Sequence, residues 1–222
     1  MRAFAAILFR DVRLAVRAGG GAVHAVMFFA LTIVIFALAA GPDRARLAAI
    51  AAPALWTGAT LAAMLSFDRM FQEDFDDGSL EALIETGDPL ALTVIAKATA
   101  HWLSTLLPLI VVSPLLALLL NLPANAYGPL VLSLAAGTPA LSLLGAFASA
   151  LTLSLKRASV LMTILTAPLL TPAVIFGVAA ANAGAEGDPR FWPALSILAA
   201  FSLFACVFAP LAAAAAIRFN SD

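Results

Sequence analysis

Eight acidic side chains, Asp68, Glu73, Asp74, Asp76, Asp77, Glu81, Glu85 and Asp88, crowd between residues 68 and 88 of a chain that has thirteen in all. Paired carboxylates can serve acid–base catalysis or hold a hard cation. On a solvated loop, water accounts for them without either role. The stretch from Asp77 to Pro89 is more specific. Asp77 or Ser79 can cap the first free N–H groups of a helix, Glu81 suits its positive end, and Gly87 then Pro89 stop it. Leu80, Leu83 and Ile84 share one face at spacings of three and four, while Glu81 and Glu85 mark another. A helix this short is marginal by itself. The spacing therefore predicts a docking peg, Asp77, Gly78, Ser79, Leu80, Glu81, Leu83, Ile84 and Glu85, whose apolar face another protein completes.

Other chemistry is sparse. His24 and His101 are the only histidines, and ionisable groups in apolar runs are functional candidates. His101 with Trp102 could ligate or flank haem. A histidine near the membrane surface beside a tryptophan of the aromatic belt explains the pair more cheaply. Cys206 is the single cysteine, so neither a disulfide framework nor a cysteine metal site is available, and no metal site is expected. Serines, histidines and aspartates are too dispersed for a hydrolytic triad. A phosphate loop ends in Gly-Lys-Ser/Thr, whereas Lys97 follows Ala96 and Lys156 follows Leu155. The chain is expected to be non-catalytic, with any ATP hydrolysis done by another subunit.

The elements that must position these residues follow from composition. With 63% hydrophobic and 11% charged residues and a mean hydropathy of +1.03, the chain falls far from soluble domains, which carry roughly 25% charged residues. It reads as an all-α, polytopic membrane protein forming a single membrane domain. Runs of about 20 apolar residues cross a bilayer, and six are predicted at 22–40, 47–67, 98–120, 129–155, 158–182 and 191–217, with a loop at 68–97. Residues 98–155 contain no Asp, Glu, Lys or Arg, enough for two spans divided by the Asn121 to Pro129 turn. Upstream, Arg2, Arg10, Arg13 and Arg17 fall within about 80° of a helical wheel, opposite Phe4, Leu8, Val12 and Ala15. This predicts an interfacial helix over 1–20 lying on the membrane surface, and the N-terminal segment is expected to be retained.

Arg2, Arg10, Arg13, Arg17, Arg69, Lys97, Lys156, Arg157 and Arg218 lie on one side of the predicted spans, and only Arg44, Arg46 and Arg190 on the other. The excess of positive charge marks the cytoplasmic side, so both termini and the acidic loop are placed there, where an ATP-driven partner would be. Nothing forms a basic patch suited to nucleic acid.

As an ordered set, Asp76-Asp77-Gly78-Ser79-Leu80-Glu81, Ala96-Lys97, Ala100-His101-Trp102, Leu107-Pro108-Leu109, Ser113-Pro114-Leu115, Gly137-Thr138-Pro139, Leu144-Gly145-Ala146 and Lys156-Arg157 resembles the cytochrome c maturation protein B family, the haem exporter protein B family. The Gly78-to-Glu81 segment also resembles the cytoplasmic loop of ABC-2 type permeases. Two departures stand out: Ala158-Ser159, where the family has two glycines, and Thr86-Gly87-Asp88-Pro89, where it is more apolar. The resemblance implies a non-catalytic permease subunit of an ABC transporter complex in the bacterial inner membrane, present in two copies. It implies as partners the cytochrome c maturation proteins A (the ATPase), C and D (membrane subunits) and E (the periplasmic haem chaperone). ATP would bind only the partner, and haem would be delivered, or the loaded chaperone released. The alternatives are a haem-binding membrane protein and a passive scaffold.

Overall fold

Out of water, every backbone N–H and C=O must find a partner within the protein, and a helix satisfies them internally. The computed structural model describes residues 2–17, 21–85, 89–153 and 158–221, and they are all-α, with no strand among the described residues. The helices are α1 (Arg2–Arg17), α2 (Gly21–Ala40), α3 (Arg44–Met64), α4 (Arg69–Asp76), α5 (Ser79–Glu85), α6 (Leu90–His101), α7 (Leu107–Leu119), α8 (Tyr127–Thr152), α9 (Ala158–Glu186) and α10 (Phe191–Ser221). A π-helical turn, Trp102–Leu106, joins α6 to α7 without a break. Six stretches of the described residues are long and apolar enough to cross a membrane, at Ala22–Ala40, Arg44–Asp76, Leu90–Leu119, Ala124–Thr152, Val160–Glu186 and Phe191–Phe219. The third begins at Leu90, within the segment read from sequence as loop.

Turn chemistry sets the ends of these rods. Asp43 accepts from the Ala45 amide at 2.9 Å and starts α3, as an N-cap aspartate should. Gly78, at φ +75°, makes the left-handed bend between α4 and α5 that a side chain would resist.

The fourth long helix is the axis of the bundle. In α8 67% of the apolar window is buried, against 17% in α2, so α8 is enclosed by protein while α2 faces outward. It packs on α6, α9 and α10, and α3 joins α2, α8 and α9. The join is made by Trp56 of α3, which is fully buried. Its Nε1–H donates to Ser133 Oγ at 3.1 Å, and the Ser133 hydroxyl in turn donates to the Leu130 carbonyl at 2.8 Å. The indole fits because two neighbours lack a Cβ. One added at Gly137 would lie 2.6 Å from Trp56 Cη2, and one at Gly177 nearer still to the same ring. Gly145 similarly leaves room for Phe67. Pro53, Pro114, Pro139, Pro168, Pro172 and Pro210 all sit inside helices.

The N-terminal helix differs from expectation in the direction it faces. Phe4, Leu8, Val12 and Ala15 are half-buried, and the helix lies against α6, so this apolar face is covered by protein. The exposed apolar residues are Phe9, Leu14 and Val16. Arg10 leaves the basic arc to make internal ion pairs, which turns the helix inward.

Candidate functional site

Where α1, α4, α5 and α6 meet, four charged side chains form a neutral cluster that sequence reasoning missed. Lys97 of α6 pairs with Asp11 of α1 at 3.0 Å and with Asp74 of α4. Its ammonium also donates to the Met70 carbonyl at 3.1 Å, which accounts for all three of its donors. The Phe71 ring lies 5.4 Å from the same nitrogen, within cation–π range. Arg10 reaches both oxygens of Asp74, at 2.9 and 3.0 Å, and holds Asp11 at 2.8 Å. Burial makes the matching consequential: the side chains of Lys97 and Asp74 are 5% and 10% exposed. An unpaired charge there would cost several kcal/mol, on the order of the penalty for breaking a buried pair. Asp74 was read as one of several solvated loop carboxylates, and the structure corrects that. The available signal was Lys97, a lone cation just ahead of a run of residues without charge.

The predicted docking helix is fastened to this cluster. Ser79, its first residue, donates through Oγ to Asp74 Oδ1 at 2.9 Å. Of the two capping candidates it is Asp77 that accepts a backbone amide, from Ser79 at 2.8 Å, leaving the serine hydroxyl for Asp74. Asp77, Gly78 and Glu81 are exposed. Leu80 is not: it is 3% exposed and belongs to the chain's own core, with Ile84 half-buried against it. The expectation that another protein completes the apolar face is therefore corrected for Leu80, because α5 folds back onto α4 and the chain covers that residue itself. Leu83 and Glu85 lie in α5, but their side chains fall outside what is described, as do Thr86, Gly87 and Asp88, where the helix was expected to end.

Hydrogen bonding to Ser79 holds the Asp77 carboxyl below the usual carboxylate range. A lowered folded pKa stabilises above the unfolded value, about 3.9, and the contribution disappears as pH falls through the folded value. Hydrogen exchange should thus find the first turn of α5 better protected than in Asp77→Ala at neutral pH. The two should become alike well below pH 3.9; a difference that survives there would rule out the carboxylate cap.

His101 and Trp102 also lie elsewhere than expected. Because α6 starts at Leu90, His101 sits eleven residues along it, about 16 Å from its start, and is 9% exposed. It is a bundle residue, enclosed by the protein's own helices. Its Nε2 is 2.8 Å from Ser66 Oγ and its Nδ1 2.8 Å from Ser142 Oγ. Trp102 is half-buried and donates through Nε1 to Thr138 Oγ1 at 2.9 Å, pointing into the bundle instead of toward the membrane border. With both ring nitrogens engaged, His101 could take a metal of any kind only by giving up a serine.

The family model described as CcmB protein matches residues 2–220. This chain belongs to the CcmB family. It is 46% identical over 222 residues, the whole of both chains, to Heme exporter protein B of Bradyrhizobium diazoefficiens. It is 49% identical over 216 residues to Heme exporter protein B of Paracoccus denitrificans, covering 97% of this chain and 98% of that one. With the Escherichia coli K12 protein of the same name the identity is 40% over 214 residues, 96% and 97% of the two chains. As a CcmB-family member with six apolar helices, the chain is a multi-pass membrane protein.

Proposed function

We propose that this chain is the membrane subunit of a haem-exporting ABC assembly, and that it receives the work of a separate ATPase at α5. The relatives' name, Heme exporter protein B, supplies the substrate. The observation that carries the coupling role is the continuous connection from Ser79 through Asp74 to Lys97. A push on the exposed edge of α5 is handed to the third span by charge-assisted contacts, not lost in a loose loop. Glu81, Asp77 and the exposed Phe75 present an acidic and partly apolar edge, suited to a basic rim around an apolar pocket. The basic excess on one side of the spans in sequence, nine residues against three, supports a cytoplasmic position for this face and both termini, with the bacterial inner membrane as the matching location.

In this reading the cytochrome c maturation A protein hydrolyses ATP, proteins C and D are the other membrane subunits, and ATP turnover drives haem delivery to chaperone E or release of the loaded chaperone. Two copies of the chain serve two ATPase subunits. Differential contact of the ATPase with α5 in its open and closed states supplies the force.

The test must spare Leu80, whose replacement by a charge would also disrupt the core. Asp77→Lys combined with Glu81→Lys should reduce ATPase co-purification at least roughly tenfold, the effect of misplacing charges across an interface, while membrane insertion is unchanged. Undiminished co-purification would remove α5 as the docking element. The rival haem-binding role of His101 is disfavoured by its two occupied nitrogens.

A further inference from the structure

His101 takes no part in the docking edge or the ion cluster, yet its hydrogen-bond directions can be worked out. Ser66 has one hydroxyl proton, and its Oγ lies 2.9 Å from the Ala63 carbonyl in donating geometry. That proton is spent, so Ser66 can only accept from the histidine, and Nε2 carries the ring N–H. In a neutral imidazole Nδ1 is then an acceptor, and the Ser142 hydroxyl must donate to it. A directed chain results, from Ser142 to His101 to Ser66 to Ala63, crossing from α8 through α6 to the end of α3.

Its position on α6 matters as much. Lys97 and His101 are four residues apart and so share a face, about 6 Å apart along the axis. Directly beyond His101 the helix widens: the Leu107 amide bonds to the Trp102 carbonyl five residues back, and Pro108 follows with no amide to give. Widened turns of this kind recur at functional sites. Phe67 adds a tilted ring contact with His101 at 5.4 Å and fills the space left by Gly145, one turn along α8 from Ser142.

We propose that His101, as its Nε2–H tautomer, is the second anchor of a lever whose first anchor is Lys97, a positioning residue that carries displacement of α6 to Ser142 on the central helix α8 and to Ser66 at the end of α3. The inference rests on the coupling reading above. Both anchors lie on the one helix Leu90–His101, and the π-helical turn that continues it into α7 is where the rod can bend.

The test uses the full chain in its complex in lipid nanodiscs. His24→Gln leaves His101 as the sole histidine of this chain, so 15N-histidine labelling of this subunit alone, before assembly with unlabelled partners, reports it alone. The expected spectrum has a protonated Nε2 and an unprotonated Nδ1 whose resonance moves in Ser142→Ala; a protonated Nδ1 overturns the proposal. Functionally, Ser142→Ala should raise the ATP hydrolysed per haem delivered about tenfold, the size of a typical coupling between sites, with ATPase co-purification unchanged. Should that variant not assemble, Ser66→Ala, which removes the other arm at a half-buried position, is expected to show the same rise. An unchanged ratio in the variant that assembles rejects the His101 anchor while leaving ATPase docking at α5 standing. Loss of docking is read separately, from Asp77→Lys with Glu81→Lys.

Discussion

Lys97→Met is expected to destabilise the protein by about 3 kcal/mol and to uncouple it. The magnitude is the low end of the ~3–5 kcal/mol for removing one partner of a buried ion pair. The low end applies because Arg10 and Asp11 are 38% and 17% exposed and water can soften the imbalance. Without the lysine, Asp11 and Asp74 face a single arginine, and the Met70 carbonyl loses the charged donor from Lys97. Adding Asp74→Leu to Lys97→Met restores neutrality, leaving the Arg10–Asp11 pair. Most of the stability should return, since apolar replacement of a buried pair is often neutral. Coupling should not return, because Ser79 then keeps only its 3.4 Å contact to the backbone carbonyl of residue 74 and loses the carboxylate that ties it to the cluster. Thermal unfolding in detergent reads the first quantity, and ATP hydrolysed per haem delivered reads the second. A double variant that couples normally would show that the cluster is only structural.

The same cluster shows where a sequence stops being informative. The long apolar helices are legible because bilayer thickness fixes their length and composition, and the short helix α5 is legible from Asp77, Gly78 and the spacing of Leu80 and Ile84. The ion cluster is not, since Lys97 meets partners 86 and 27 residues away, Asp11 and the Met70 carbonyl, and no periodic pattern links such positions. Leu80 illustrates a second limit. Its apolar face was evident, but spacing cannot distinguish burial by the chain itself from burial by a partner. His101 illustrates a third: the helix runs back to Leu90, past the edge of the apolar stretch, and the partners that bury the residue, Ser66 and Ser142, lie far from it in sequence. A charged residue can sit inside the helix that leads into a span when its partners come from outside it, and the apolar stretch alone then marks the start of the helix too late.

Gly177→Ala should cost about 3 kcal/mol, the upper end of the ~1–3 for overpacking a filled core. The new Cβ would meet three atoms of the Trp56 ring, and that ring has nowhere to go. It is fully buried, its Nε1–H is tied to Ser133, and Gly137 already lies so close to the same ring that a Cβ there would clash. In lipid the separated helices are also in an apolar medium, so close packing and interhelical hydrogen bonds hold the bundle, not exclusion of water. Forcing α3 and α9 apart therefore removes the main attraction between them and is not offset elsewhere. Trp56→Phe alone should also destabilise, by loss of the Ser133 hydrogen bond and of ring contacts. Combined with Gly177→Ala, however, it makes room for the methyl group, and the pair should be less damaging than the sum of the singles by at least about 1 kcal/mol, as for residues in direct contact. Unfolding of the four variants in one detergent measures this difference. Additive losses would mean that Trp56 is not what fixes the distance between these helices, and that Gly177 is needed for some other reason.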